Sequence, residues 1–511
     1  MAKPINPLIL CDSYKLGHMK QYPKGTTFVY SNFAARSFVH LNEKLPAEYQ
    51  VKKMTWVGLT AVMNEMKQIW KEGFFDQNID SIVEEFAKFI APFVGPSGFD
   101  MEAVRRLHTL GYLPLELRAL PEGSRVQQGI PLFTISNTTE DEYWLVNFVE
   151  SYLSSELWKA CNSATIASVY RRILDDYCDE TGGDKSLVDW QGHDFSMRGM
   201  SGYHDAAKSG MGHLVYFKGS DSLPSVEYIN KHYLDTNLFI AGSVPATEHS
   251  VMCMGGKEDE IGTFKRLITE TYPSGVVSIV SDTWDFWQVI TEFAATLKED
   301  ILSRTPDSLG LAKVVFRPDT GNPVTIICGD RYADPGSPEH KGAVECLWDT
   351  FGGTVNEKGY KVLNPRVGLI YGDSITPERA LEILKRLKKE GFASTNIVFG
   401  IGSFTYQYAT RDTLGFAMKA TYGIVNGEGR DIFKDPKTDS LKTKRSAKGR
   451  LMVTCKDDVF VLKDQLTNNE FLGRRADGDC LAMVCQNQFV APSSFQAVRD
   501  LANKTYSRPP F

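Results

Sequence analysis

The sequence predicts an α/β fold: a (β/α) barrel of parallel strands joined to a β-rich α+β region. Three observations carry this. Four short apolar, β-branched segments each run straight into polar residues: VVSIVSD (276–282), KVVFRPDTGNP (313–323), VGLIYGD (367–373) and NIVFGIGS (396–403). Strands buried on both faces of a parallel sheet read as such unbroken Val/Ile/Leu runs. Strand-then-helix alternation begins near residue 185, as a parallel α/β arrangement requires. The two ends of the chain instead read as irregular and β-rich.

In chain order, residues 1–112 alternate helical and extended patterns, and LPLELRALPEGSRVQQGIPLFTIS (113–136) reads as short strands broken by Pro-Glu-Gly and Gln-Gly turns. A helical block follows. Thr139 with Glu142 predicts a capping box, and Leu145, Phe148, Val149, Tyr152 and Leu153 recur at helical spacing. Ile166, Val169, Tyr170, Ile173, Leu174 and Tyr177 repeat that stripe, so both are core faces. In the alternating region VGLIYGD is a strand and loop, Thr376 an N-cap, Pro377 the first helical residue, and Gly391 the stop. LMVTCKDDVFVLKD (451–464) predicts a hairpin turning at Lys456 to Asp458. The expected division is residues 1–150 with 405–511 as one domain, and 151–404 as the barrel.

Composition excludes several classes. Hydrophobic residues at 42% and charged residues at 23% suit a globular chain with a substantial core. No segment approaches a membrane span, and the N-terminal PLILC is too short for a signal sequence, so the cytoplasm is the expected compartment. Nine scattered cysteines without a CxxC pair argue against a disulfide framework or thiolate zinc site. A net charge of -6 offers no general attraction for nucleic acid or acidic membranes. One local exception is KTDSLKTKRSAKGR (437–450), which suits either a solvated loop or a polyphosphate contact.

The chemistry-bearing residues collect at strand ends. In (β/α) barrels catalytic groups sit where the strands give way to the βα loops, and Asp282, Arg317, Asp319, Asp373 and Gly402 fall there. Taken singly, Asp282 and Asp373 could cap helices and Arg317 could pair with a carboxylate. Four such sites in register favour an active rim. Upstream, HDFSMRG (193–199), if extended, puts Phe195 and Met197 on one face and Ser196 and Arg198 on the other. FKGSDS (217–222) and GSVPATEHS (242–250) place further polar groups at expected loops, and His249 on its own would be a hydrogen-bonded structural histidine. There is no Walker A motif, and Gly400-Ile401-Gly402 only weakly resembles a phosphate turn.

Together, DSYKLGHMKQYP, HDFSMRG, FKGSDS, SVPATEHS, VSDTWD, RPDTGNP, GDSI, FGIGS with TRD, and FKDP occur in the order seen in nicotinamide phosphoribosyltransferases. The chain resembles that family, of the type II phosphoribosyltransferase kind, over nearly its full length. The resemblance implies an irregular (β/α) barrel with a β-rich α+β domain built from both termini. It also implies a homodimer with active sites at the interface.

The expected reaction joins nicotinamide to 5-phosphoribosyl 1-pyrophosphate, with Mg2+ held mainly by pyrophosphate rather than by a dedicated protein cage. The resemblance also implies that ATP hydrolysis through a phosphorylated His249 stimulates it. By the resemblance, Tyr14 of one subunit and Phe195 of the other sandwich the pyridine ring, Arg198 holds the amide oxygen, and Asp221 selects amide over acid. Asp282 and Asp319 face the reacting centre, and Arg317 and Asp373 grip the ribose. Gly402 and Ser403 hold the 5'-phosphate, Ser243, Ser278 and Gly372 also bind the ribose and phosphates, and Arg36, Arg411, Lys434 and Lys444 supply positive charge. Phe404, Met197 and Ala447 depart from the family pattern. The competing readings are a nicotinate-specific enzyme, a barrel sugar-phosphate lyase, or a binding protein without activity. The lyase would use a Schiff-base lysine, which the four strand ends lack.

Overall fold

The computed structural model describes residues 3–95, 98–234, 239–433 and 447–506. The N-terminal part supplies β1 (Thr26–Ala35), β2 (Leu115–Ala119) and β3 (Pro131–Asn137). The middle supplies β4 (Gly192–Asp194), β5 (Gly219–Ser220), β6 (Gly275–Val280), β7 (Ala312–Arg317), β8 (Val367–Tyr371) and β9 (Val398–Ile401). The C-terminal part supplies β10 (Phe416–Val425), β11 (Glu428–Asp431), β12 (Ala482–Gln486) and β13 (Phe489–Val490). Two sheets result. The first, wholly antiparallel, runs β11-β10-β1-β3-β2-β12-β13 and so interleaves strands from both ends of the chain.

The second sheet is wholly parallel, in the order β5-β4-β9-β8-β7-β6. Each of the four apolar runs is a strand of it. Val277, Ile279, Val314, Phe316 and Leu369 point to one face and are at most 1% exposed. On that face Phe264, from the helix Glu260–Arg266, stacks on Phe316. Each buried side chain of this kind contributes roughly 1.5–3 kcal/mol. The alternate residues, among them Ser278, Val315 and Arg317, line the inner face, where β6 and β7 pair Ser278 with Val315 and Val280 with Arg317.

The segment around GSVPATE, which has no strand pattern, joins the sheet's two edges. Gly242 bridges to Gly219, and Ala246 bridges to Ser278. Hydrogen bonds Ser220 N to Gly242 O (3.1 Å) and Ser278 N to Pro245 O (2.9 Å) hold either side. Pro245 lacks an N–H, so a regular strand could not form here, yet its carbonyl still accepts.

Three helices pack together beside the sheet's first strands: α1 (Glu150–Thr181), α2 (Tyr203–His213) and α3 (Leu223–His232), with α2 against both of the others. A fourth, α4 (Pro377–Lys389), is capped by Thr376, whose hydroxyl accepts from Arg379 N at 3.2 Å. Gly391 follows at φ 80°, the left-handed conformation that ends the helix. The predicted hairpin forms between Met452–Lys456 and Val459–Lys463, with Asp457 and Asp458 both at positive φ as its tight turn requires.

Two local expectations fail. Thr139 makes no side-chain cap, because Glu142 is buried and accepts from the Trp144 indole N–H at 2.6 Å instead of reaching back. HDFSMRG is extended only through Asp194. The Asp194 carboxylate accepts from Ser196 N (2.9 Å) and turns the chain into the single helical turn Met197–Gly199.

Candidate active site

Because the strands are parallel, their C-terminal ends share one rim. After β6, the Asp282 side chain is only 7% exposed, and its Oδ2 accepts from Asp319 N at 2.9 Å and Thr320 N at 2.8 Å. It therefore ties the loop after β7 to the loop after β6 rather than capping a helix. The cap belongs to Asp285, which accepts from Trp287 N and Gln288 N. Oδ1 of Asp282 is buried with no hydrogen-bond partner and lies 3.7 Å from His249 Nε2.

His249 opens the helix His249–Gly255 just past the bridging segment. Its Nδ1 is 3.1 Å from Thr283 Oγ1 and its Nε2 3.2 Å from Asp319 Oδ1. Arg317 donates to the Thr247 carbonyl, and its Nε is buried without a partner. Burial lowers the Arg317 pKa; Asp319, Asp221 and Asp282 oppose that shift, and Arg198 adds to it.

A second cluster lies around β4 and β5. Asp221 Oδ1 accepts from Ser243 Oγ and sits 2.8 Å from His193 Nε2. Burial pushes the Asp221 pKa up, but His193, Ser243 and Arg317 outweigh it and hold the carboxyl below its ordinary value. Asp221 is thus an anion at neutral pH. The Phe195 ring lies 4.7 Å from the His193 ring and is seated on Gly400, where a Cβ would come within 2.6 Å of it. Arg198 is exposed on the turn beyond.

The third cluster follows β8 and β9. Gly372 N donates to Pro318 O at 3.2 Å, joining this loop to the Arg317–Asp319 loop. Asp373 is exposed and accepts from Ser374 Oγ at 2.9 Å; it caps no helix. Nothing lies within 4 Å of where a Cβ on Gly402 would be. Ser403 packs on Gly199, where a Cβ would be 2.0 Å from its hydroxyl, so the phosphate-turn candidate touches the Arg198 turn. Phe404 is 57% exposed beside Tyr408 and leaves that turn open.

Other expected residues lie outside this rim. Arg36 donates from Nε to Gly415 O at 3.1 Å, close to the turn Arg411–Thr413, and Arg411 pairs with Asp412 at 3.3 Å. Tyr14 is 62% exposed, its ring edge-on to His18, and it shares a surface groove with Trp158 and Arg411 rather than meeting Phe195 of its own chain. Ser278 Oγ is buried without a partner on the inner face. Lys434 and Lys444 lie outside the described residues.

Four participants lie outside the residues expected from the sequence: His193, Thr247, Thr283 and Asp194. His193 had a signal, as the histidine two residues before Phe195. Thr247 and Thr283 had none, because their partners are 70 and 34 residues away in the chain.

One donor atom each from His249, Asp282 and Asp319 lie within 4.8 Å of one another. The unpartnered Asp282 oxygen and the half-exposed Asp319 carboxylate suit a hard cation that keeps most of its ligands from water and phosphate. The imidazole nitrogen is a poorer ligand for such an ion. Asp282 and Asp319 therefore fit Mg2+.

Comparison with known proteins agrees with this architecture. Residues 190–471 match the model of the nicotinate phosphoribosyltransferase (NAPRTase) family, and residues 6–90 match the nicotinamide phosphoribosyltransferase N-terminal domain. The chain is 52% identical over 471 residues to a nicotinamide phosphoribosyltransferase of Acinetobacter baylyi, covering 92% of each chain. To that of Mycoplasma pneumoniae it is 34% identical, covering 87% of this chain and 94% of the relative. Among solved structures, human nicotinic acid phosphoribosyltransferase shares the fold at TM-score 0.56 and 15% identity, over 98% of this chain and 94% of that one. No described helix is long and apolar enough to cross a membrane. With a family model spanning more than half its length and relatives alike over nearly all of it, the chain belongs to the nicotinate phosphoribosyltransferase family, as a pentosyltransferase enzyme grouping with nicotinamide phosphoribosyltransferases.

Proposed function

We propose that this enzyme transfers the phosphoribosyl group of 5-phosphoribosyl 1-pyrophosphate to nicotinamide, giving nicotinamide mononucleotide and pyrophosphate, in salvage toward NAD. The observation that carries the choice of base is the Asp221 carboxylate, kept ionised by Ser243 and by His193, whose ring lies 4.7 Å from that of Phe195. An anion there accepts a hydrogen bond from the amide NH2 of nicotinamide and repels the carboxylate of nicotinate.

In the reaction the pyridine nitrogen forms a bond to C1 of the ribose while the C1–oxygen bond to pyrophosphate breaks, its electron pair leaving with pyrophosphate. No proton moves, and the product ring carries the positive charge. The transition state is oxocarbenium-like, so fixed carboxylates beside C1 stabilise it. Asp319, whose backbone N–H is held by Asp282, takes that role. Mg2+ held by Asp282 and Asp319 would neutralise charge on the leaving group. Arg317 and Asp373 orient the ribose, and the backbone at Gly402 and Ser403 receives the 5'-phosphate.

Three finer features belong to the same reading. His249 is the phosphoryl acceptor that couples ATP hydrolysis to synthesis: its imidazole nitrogen attacks the terminal phosphorus of ATP, and ADP leaves. Its hydrogen bond to Thr283 and proximity to Asp319 support an oriented imidazole at the reacting centre. The enzyme is a homodimer in which Tyr14 completes the partner's base site, supported by the exposure of that ring. It works in the cytoplasm.

The test is product analysis after incubation with Mg2+, 5-phosphoribosyl 1-pyrophosphate and either nicotinamide or nicotinate, with and without ATP. Nicotinamide mononucleotide and pyrophosphate in equal amounts are expected. Equal or better turnover of nicotinate would replace the proposed base with the acid.

A further inference from the structure

A buried hydrogen-bond chain connects the base cluster to the phosphate turn. Tyr406 stands in the short helix Ser403–Gln407 that follows Gly402, and its side chain is fully enclosed. Its hydroxyl is 2.7 Å from Nδ1 of His213, the last residue of α2, which is also fully buried. Nε2 of His213 is 3.1 Å from the carbonyl of Gly219, in the strand that leads into Asp221. A carbonyl can only accept, so Nε2 carries the proton, Nδ1 is the acceptor, and the Tyr406 hydroxyl donates to it. Burial favours this neutral imidazole by lowering its pKa, against the opposing charge of Asp194; His193 adds to the lowering.

The linker is closely packed. A Cβ on Gly212 would lie 2.4 Å from the Ala160 carbonyl of α1, and one on Gly210 would lie 1.9 Å from Ser225 Oγ of α3, so α2 is pressed against both neighbours. The His213 ring stacks on Phe217 at 5.0 Å. Both ends are tied in by hydrogen bonds. Asp194, fully buried, accepts from Ser196 N and Ser220 Oγ, and its own carbonyl accepts from Asp221 N at 3.0 Å. Thr405, beside Tyr406, is within 3.0 Å of both the Tyr170 hydroxyl and the Ile375 carbonyl.

Buried polar side chains are ordinarily hydrogen-bonded, so a His–Tyr pair in a core can be mere satisfaction. Here its two ends belong to two separate ligand-bearing loops, and apolar side chains would fill the space without the cost of desolvating three polar groups. We propose that His213 is a positioning residue that fixes the spacing between the phosphate turn and the base-recognition strand, so that filling one end of the site prepares the other. The proposal rests on the phosphoribosyl-transfer reading above. His213 touches neither substrate; it acts through Tyr406 and through Gly219 and Asp221. Such a link appears as a coupling free energy, in which a ligand at one end changes the affinity at the other.

The experiment measures nicotinamide affinity by calorimetry on the full-length enzyme, with and without saturating ribose 5-phosphate, which occupies the phosphate end but cannot react. The wild type should bind nicotinamide at least about fivefold more tightly in its presence. Tyr406→Phe, which keeps the ring, and His213→Phe should bring that ratio to within about twofold, and His213→Gln, which retains one acceptor and one donor, should restore it. A purely structural pair would lower the melting temperature of Tyr406→Phe while leaving the ratio intact, and that result overturns the proposal. So does a wild type whose nicotinamide affinity ignores ribose 5-phosphate. A wild type that binds neither ligand instead removes the phosphoribosyl-transfer reading itself.

Discussion

Asp221 shows how a single side chain acquires its role from its neighbours. Taken alone it is a turn aspartate; held by Ser243 and His193 on one oxygen, it is an ionised acceptor whose histidine partner lies against the Phe195 ring. Asp221→Ser should lower kcat/KM for nicotinamide about 10- to 100-fold, the worth of a hydrogen bond to a charged group. It should raise nicotinate turnover, measured with both bases side by side; unchanged selectivity would place the discrimination elsewhere. His249 makes a separable prediction. His249→Ala should retain synthesis without ATP and lose both ATP stimulation and ATP hydrolysis, read by ADP release. Persistent hydrolysis in that variant would refute the phosphohistidine.

The elements of the barrel were legible to the extent that their signals are local. Apolar β-branched runs and the Thr376–Pro377 start of α4 depend on residues adjacent in the chain. The bridging segment 242–247 was not legible as sheet, because Pro245 and the small residues around it lack strand propensity and its pairing comes from two distant edges. Gly400 carries a similar lesson: it reads as part of a phosphate turn, whereas its place against Phe195 and the Tyr371 carbonyl is what demands glycine. Gly400→Ala should destabilise the protein by about 1–3 kcal/mol and raise KM for nicotinamide as the ring is displaced. A wild-type melting temperature and KM would contradict this. The helix Glu260–Arg266 behind the barrel contributes a pH effect. Burial, aided by Asp285, raises the Glu260 pKa from 4.5 to about 7. The folded state therefore binds the extra proton, and this group's contribution to stability is fullest below pH 4.5 and declines as pH rises to about 7. Glu260→Gln should accordingly be more stable than wild type above that range, by about 1–3 kcal/mol, in urea melts at pH 8. Equal stability there would show the shift to be absent.

For the whole molecule, the consequential question is what completes the site. Tyr14 is exposed on the surface of its own chain, and Asp319 lies at the rim. If the proposed homodimer places Tyr14 of one subunit over Phe195 of the other, Tyr14→Ala and Asp319→Asn should each be nearly inactive alone. Co-refolded in equal amounts, they should recover about a quarter of wild-type activity, since half the dimers are mixed and each mixed dimer has one intact site. No recovery would mean that each chain works alone. The sequence by itself determined the parallel sheet, the strand-end location of Asp282, Arg317, Asp319 and Asp373, and the family, because hydrophobic period and ordered motifs are local properties of the chain. Only the tertiary structure decided which groups meet: His193 with Asp221, His249 with Thr283 and Asp319, and Tyr406 with Gly219 through His213. Those contacts join residues tens to hundreds of positions apart, and packing of helices on the sheet brings them together.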